Sequence, residues 1–361
     1  MENDFLQRCG PILTDIAIAG AVTIGAILLY RSWRKYSMNE SQKIPTEDDW
    51  KDYPQPPNEA QPVPPIPEPP GVWNVKEPED KTDPCPHMIS ETYISGKWRI
   101  LAASRRGKLH AHHGKYREDA YDLGEAAGCQ LMAICDGAGS APLSRVGAAV
   151  AARAAISAMK ETLSTITEPV SSDQIKLALQ NALKNACSSI NTEAELRGLP
   201  AKQFASTMLI LIHAPQSNGS AWVGLAEVGD GAIFVQKPSD QGGEPILRVY
   251  DSGDHGTSAG QTLFLTSSPV ENWLGRVQTI ECPHGISSIL MTTDGIADDF
   301  YPYKKYAKDL VKIVDETVLS LPESEQEKAL LDMTGYQQQA SFDDRTILVL
   351  SHFMDEAVHD L

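Results

Sequence analysis

Two short segments run a hydrophobic stretch straight into Asp-Gly: Leu131–Gly137 (LMAICDG) and Leu290–Gly295 (LMTTDG). A third acidic pair, Asp343-Asp344, stands directly before the apolar run Arg345–Leu350 (RTILVL). Apolar runs of this length with β-branched content read as buried strands. A carboxylate at the end of a buried strand is fixed at the rim of a sheet, where water reaches it. If Asp136, Asp294 and Asp343 converge, they offer an oxygen-only site for a hard cation such as Mg²⁺ or Mn²⁺. One Asp-Gly pair after one strand is ordinarily a turn. The chemistry therefore rests on the set.

Those residues need a scaffold. Strands are expected at Ala133–Cys135, Thr207–Ile212, Ser220–Val228, Ala232–Val235, Leu263–Thr266, Ser288–Thr293 and Thr346–Ser351. Helices are expected at Val146–Leu163, Gln174–Leu196, Tyr303–Leu319 and Ser324–Met333. In the second of these, Ile175, Leu179, Ala182, Ala186 and Ile190 repeat at helical spacing and Gly198 marks the stop. Helices fall in pairs between groups of strands, without strict alternation. That order predicts an α+β fold, two stacked antiparallel β-sheets flanked by helices in an α-β-β-α sandwich.

Composition narrows the function. The 361 residues are 42% hydrophobic and 22% charged, as in a globular protein. A formal charge of −17 repels a phosphate backbone, which excludes nucleic acid as a partner. Six scattered cysteines without a CxxC pair fit reduced thiols better than a disulfide framework.

Ahead of the globular pattern lies a different kind of chain. Residues 11–30 (PILTDIAIAGAVTIGAILLY) are broken only by Asp15 and two threonines, and Arg31, Arg34 and Lys35 follow at once. Such a stretch reads as a single transmembrane helix with the bulk of the chain in the cytoplasm. A signal peptide and a buried core helix are the rival readings. The proline-rich, acidic stretch PQPPNEAQPVPPIPEPPG then reads as a disordered linker of polyproline character. The expected organisation is an anchor at 1–36, a linker at 37–90, a folded domain at 91–355 and a tail at 356–361.

Several segments line up in a fixed order: Arg117-Glu118-Asp119-Ala120, Asp136-Gly137-Ala138-Gly139-Ser140, Ala205-Ser206-Thr207, Val228-Gly229-Asp230-Gly231, Thr293-Asp294-Gly295 and Asp343-Asp344-Arg345-Thr346. The set resembles the protein phosphatase 2C family of metal-dependent serine/threonine phosphatases, over about Trp98 to Phe353. Its nearest variant opens with a G-x-x-H-x-x-x-G-x-x-x-x-D-A pattern, matched by Gly107, His110, Gly114, Asp119 and Ala120.

The resemblance implies that Asp136 bridges two Mn²⁺ or Mg²⁺ ions, with the Gly137 carbonyl on one of them. It implies that Asp294 and Asp343 complete the other site, and that Asp230 with Asp294 can hold a third ion. Glu118 and Asp119 would order the surrounding waters. The implied catalytic set is thus Asp136, Asp294, Glu118 and Asp119, and the reaction is hydrolysis of phosphoserine or phosphothreonine by a water activated between two cations. A serine/threonine kinase or its targets would be the protein partners.

This chain departs from the pattern twice. Ala138 occupies the place of a histidine that can protonate the leaving alkoxide. Gly114 occupies the place of a phosphate-gripping arginine, for which Arg105, Arg106, Lys115 and Arg117 are the candidate replacements. The cluster His110, His112 and His113 matches no ordinary zinc tripod and is read as incidental. These departures leave open a catalytically weak phosphoprotein-binding module, and a phosphohydrolase acting on a small phosphorylated metabolite.

Overall fold

The structure, a computed structural model, describes residues 73–166, 169–239, 244–252, 262–336 and 341–353. The anchor expected at 11–30, most of the linker and the tail lie outside the described residues. Among the described residues no helix is long and apolar enough to cross a membrane.

The strands form two antiparallel sheets. One runs β1 (Met88–Ser95), β2 (Trp98–Arg105), β11 (Arg345–His352), β10 (Ser288–Thr292), β7 (Ala232–Lys237), β8 (Ile246–Tyr250) in spatial order. The other runs β3 (Ala120–Ala126), β4 (Cys129–Cys135), β5 (Met208–Pro215), β6 (Ala221–Val228), β9 (Gln278–Cys282). The central strands are buried on both faces, which is why they read as continuous apolar runs rather than as alternation. Met132 and Ile134 of β4 face the opposing sheet, where they meet Leu348 and Leu350 of β11. Leu131, Ala133 and Cys135 face the other way, toward helices. Burying one aliphatic side chain stabilises by about 2 kcal/mol, against ~1 kcal/mol for the whole strand-propensity scale. Packing settles these strands.

The helices are α1 (Lys108–His113), α2 (Ser144–Ser164), α3 (Ser172–Arg197), α4 (Glu271–Leu274), α5 (Asp294–Ala297), α6 (Tyr303–Val314) and α7 (Glu323–Met333). Alanines at 148, 151, 152 and 155 of α2 and at 178, 182 and 186 of α3 share one core with β4 and β5. Ser171 and Gln174 form a reciprocal cap at the start of α3, and Gly198 ends it in the left-handed region at φ 65. On the other side, Leu310, Val311 and Val314 of α6 and Leu330 of α7 pack with Phe234, Leu290, Ile347 and Val349. The predicted layering of helix, sheet, sheet and helix is what these cores build.

Three local expectations change. The stretch Leu263–Thr266 is not a strand: Leu265–Ser267 form a 3-10 turn. Leu265 spends its N–H on Ser206 O and its carbonyl on Trp273 Nε1, so no ladder can extend from it. The expected helix 303–319 is α6 running into a wider turn at Asp315–Leu319. Finally, β1 begins at Met88, ahead of the boundary expected at 91. The residues before it are tied to the domain, with Arg197 gripping Asp83 through both carboxylate oxygens and Arg106 Nη2 donating to Lys76 O.

Candidate metal centre

Strand register collects the acidic residues. Ala120 pairs with Cys135, so Asp119 and Asp136 leave neighbouring strands at the same end. Thr292 pairs with Ala232 on one side and with Ile347 on the other, which brings Asp294 between the Gly229–Gly231 turn and the start of β11. The carboxylates of Asp136, Asp230 and Asp294 each offer an oxygen, and these oxygens lie within 4.8 Å of one another.

The Ala205-Ser206-Thr207 segment holds Asp136 in place. The Asp136 N–H donates to Thr207 Oγ1 (2.9 Å), while its carbonyl accepts from Thr207 N (2.8 Å) and Ser206 Oγ (3.0 Å). Gly137 bridges to Ser206, and a side chain there would strike the Glu118 carbonyl at 2.8 Å. The backbone is thus fixed before any ligand arrives.

Asp119 sits at the end of a buried polar chain. Arg117 Nη1 donates to Ser104 Oγ (2.6 Å), which is 2.6 Å from Thr346 Oγ1, and Thr346 Oγ1 donates to Asp119 Oδ2 (2.6 Å). Thr293 Oγ1 donates to the same oxygen at 2.9 Å. Asp119 Oδ1 has no partner. Burial, then the Asp344 charge, pushes this carboxyl up to about 7. Burial followed by Asp294 drives Asp136 well above the usual carboxylate range, and burial followed by Asp230 does the same to Asp294.

Asp344, the second half of the acidic pair before β11, has a role of its own. It is 2% exposed. Its Oδ1 accepts from Gly107 N (2.6 Å) and its Oδ2 from Glu118 N (2.5 Å), so it ties three distant segments together. A side chain at Gly107 would fall 2.3 Å from the Asp343 carbonyl carbon, so only glycine allows the approach.

His110, expected to be incidental, is buried in the same cluster. Its Nδ1 lies 2.9 Å from Asp344 Oδ2, and its Nε2 lies 3.6 Å from both Glu118 Oε2 and Asp343 Oδ1. Burial alone would lower this imidazole, but Asp344, Asp343 and Glu118 outweigh it and hold it up at about 9. The sequence signal was present in the G-x-x-H spacing; what it lacked was any hint of which acids lie opposite.

The residues fit divalent cations. Buried oxygens at Asp119 Oδ1, Asp294 Oδ1 and Glu118 Oε2 are left without hydrogen-bond partners, and their neighbours repel one another. Unpaired buried carboxylates are costly unless a cation neutralises them. The candidate ligands fall into two close groups. Asp230, expected with Asp294 at a third site, lies with Asp136 and Asp294, and Asp343 groups with His110 and Asp344. Asp343 still bears on the centre, because its charge helps to raise both Asp136 and Asp294.

Among the four candidate cations for phosphate, three point inward. Arg105 is bound to Thr334 Oγ1 and Leu331 O, Arg106 to Lys76 O and His110 O, and Arg117 to Pro86 O, Ser104 and Asp119 O. Lys115 is 41% exposed at its side chain, donates to Gly139 O (2.6 Å) and lies 3.5 Å from Glu118 Oε1. It borders a hollow of about 320 Å³ with Glu118, Ser140 and Arg145. A second hollow of about 530 Å³, lined by Ala138, Lys202 and Phe264 among others, adjoins it across Ser140–Pro142.

A family model described as protein phosphatase 2C matches residues 106–333. No curated protein matches the chain. Similar solved structures include a bacterial serine phosphatase, 14% identical over 71% of this chain and 98% of that one, with a TM-score of 0.47. The serine/threonine phosphatase Stp1 from Staphylococcus aureus is 14% identical over 73% and 97%, with a TM-score of 0.47. RsbX in complex with magnesium is 14% identical over 73% and 100%, with a TM-score of 0.40.

Proposed function

The chain belongs to the protein phosphatase 2C family, and from that premise we propose that it hydrolyses phosphoserine and phosphothreonine on proteins using Mn²⁺ or Mg²⁺. The observation that carries the reading is the meeting of Asp136, Asp230 and Asp294 within 4.8 Å beside buried oxygens that lack partners. These aspartates, with Asp343 and the Gly137 carbonyl, would hold the cations. When bound, two such ions lower the pKa of water and neutralise charge on the phosphoryl group.

The side chains supply the rest. Asp119, locked by Thr293 and Thr346, presents Oδ1 to the site as a fixed acceptor that orients water. Glu118 does the same from the adjoining position. Ala138 has no proton to give, so the leaving alkoxide takes its proton from solvent. Two adjoining hollows astride Ser140–Pro142 suit a polypeptide segment better than a small metabolite. Release of phosphate from a phosphothreonine peptide in Mn²⁺ tests the reading. Absence of turnover with both Mn²⁺ and Mg²⁺ would favour a binding module instead.

Lys115 takes the place of the missing arginine as the group that meets phosphate. Lys115→Met is expected to raise KM for a phosphopeptide about tenfold, since a hydrogen bond to a charged group contributes roughly 1.5 kcal/mol, with little change in kcat. An unchanged KM would remove Lys115 from that role.

The apolar residues 11–30 would tether the enzyme as a single-pass membrane protein facing the cytoplasm, near a serine/threonine kinase or its targets. The full chain should then sediment with membranes through an alkaline wash, and a variant lacking residues 1–36 should not. Extraction of the full chain by that wash would contradict the tether.

A further inference from the structure

His110 is a buried group at the site that the reaction outlined above leaves unused. It is 4% exposed, on a short helix set between Gly107 and Gly114. Asp344 Oδ2 stands 2.9 Å from Nδ1. Both Asp344 oxygens are already engaged by backbone N–H groups from Gly107 and Glu118, so this carboxylate is fixed beside the ring.

The opposite nitrogen faces two acids. Glu118 Oε2 and Asp343 Oδ1 are each 3.6 Å from Nε2, too far for a hydrogen bond. Glu118 is 5% exposed, and its Oε2 has no hydrogen-bond partner. A cation about 2.0–2.2 Å from both Nε2 and Asp343 Oδ1 spans a 3.6 Å spacing, and His110, Asp343 and Asp344 each offer a ligand atom within 4.8 Å of the others. An imidazole backed by a carboxylate on one nitrogen, with acids facing the other, is the usual environment of a metal-ligating histidine.

We propose that His110 Nε2 is a direct ligand of a divalent cation shared with Asp343, with Asp344 facing the ring at Nδ1. This deepens the phosphatase reading and rests on it, because it says which cations the centre prefers. A nitrogen donor among carboxylates disfavours Mg²⁺ and favours Mn²⁺ and later transition ions. The competing arrangement is a protonated His110 that stays a fixed cation between the two acids and never touches a metal.

The test uses the full chain loaded with Mn²⁺ and pulsed electron paramagnetic resonance to detect nitrogen bound to the ion. The expected result is a ¹⁴N coupling that converts to ¹⁵N when histidine alone is labelled and vanishes in His110→Gln. Among the described residues, His110 is the only histidine in either cluster of metal-ligating side chains. Calorimetry should show Mn²⁺ affinity weakened about 10–100-fold in both His110→Gln and Asp344→Asn, with Mg²⁺ affinity shifted far less. Mn²⁺ bound without any nitrogen coupling, or a coupling that persists in His110→Gln, overturns this assignment and leaves the phosphatase reading standing. A wild-type chain that binds no Mn²⁺ overturns both. Should His110→Gln fail to fold, the labelled wild-type spectrum decides alone.

Discussion

Asp136→Asn and Asp294→Asn are each expected to lower kcat/KM for a phosphothreonine peptide by at least about 10³-fold. A divalent cation contributes several kcal/mol of charge stabilisation, and each 1.36 kcal/mol is worth about a factor of ten. Both residues sit in the trio whose oxygens lie within 4.8 Å, so neutralising one removes a ligand that its neighbours cannot replace. The same substitutions carry an unusual stability signature. Without metal, burial and mutual repulsion raise both carboxyls well above their ordinary range. An amide at either position relieves that repulsion, so the metal-free variants should melt at or above the wild-type temperature at pH 8. They should also lose the stabilisation that Mn²⁺ gives wild type. Phosphate release and thermal unfolding, measured on the same samples, separate lost chemistry from lost fold. Full activity in either variant contradicts the metal assignment.

In EDTA, the chain should unfold at progressively lower temperature as pH rises from 5 to 9, and saturating Mn²⁺ should remove most of that slope. Asp119 is held up to about 7 in the folded state against an unfolded value of 3.8, so the folded state binds more protons between those values. The stability it contributes is complete below 3.8 and is lost as pH rises through about 7. His110 acts in the same sense, from 6.5 unfolded to about 9 folded: its contribution is complete below 6.5 and lost through about 9. Glu118 and Asp343 are raised as well, by burial first, and push the same way. Asp83, lowered by its hydrogen bonds from Arg197, works in the opposite direction from a largely solvated position. Most proteins lose stability toward acid because their carboxylates are paired; here the crowded acids at one end of the sheets reverse the trend. Calorimetric melting temperatures across that range, with EDTA and then with Mn²⁺, check both halves. A flat EDTA profile would show that these groups do not titrate as their surroundings require.

Loss of the Asp344 clamp connects these two results. Gly107 and Asp344 are 237 residues apart, and Glu118 and Asp344 are 226 apart, yet one carboxylate joins them. The placement of Glu118 thus draws on the loop before β11, through its N–H bond to Asp344. Metal affinity and folded-state protonation should respond together to any change there.

Sequence alone marked where the acids leave their strands. A strand buried on both faces must be apolar throughout, so the first carboxylate after it, at Asp136 or Asp294, has only the sheet rim to occupy. The same logic made the layered α+β architecture legible, since β4, β10 and β11 read as unbroken hydrophobic runs. It failed at Leu263–Thr266, where equally apolar residues give their backbone bonds to Ser206 and Trp273 rather than to a ladder. Which acids lie together was decided by tertiary structure. Pairing of β10 with both β7 and β11 sets Asp230 beside Asp294, and α1 delivers His110 to Asp343 and Asp344. Lys115 stands apart from the three arginines for the same reason, because their guanidinium groups are held by inward contacts. Local pattern encodes burial and periodicity, whereas distances across hundreds of residues are set by strand register, which exists only once the sheets have formed.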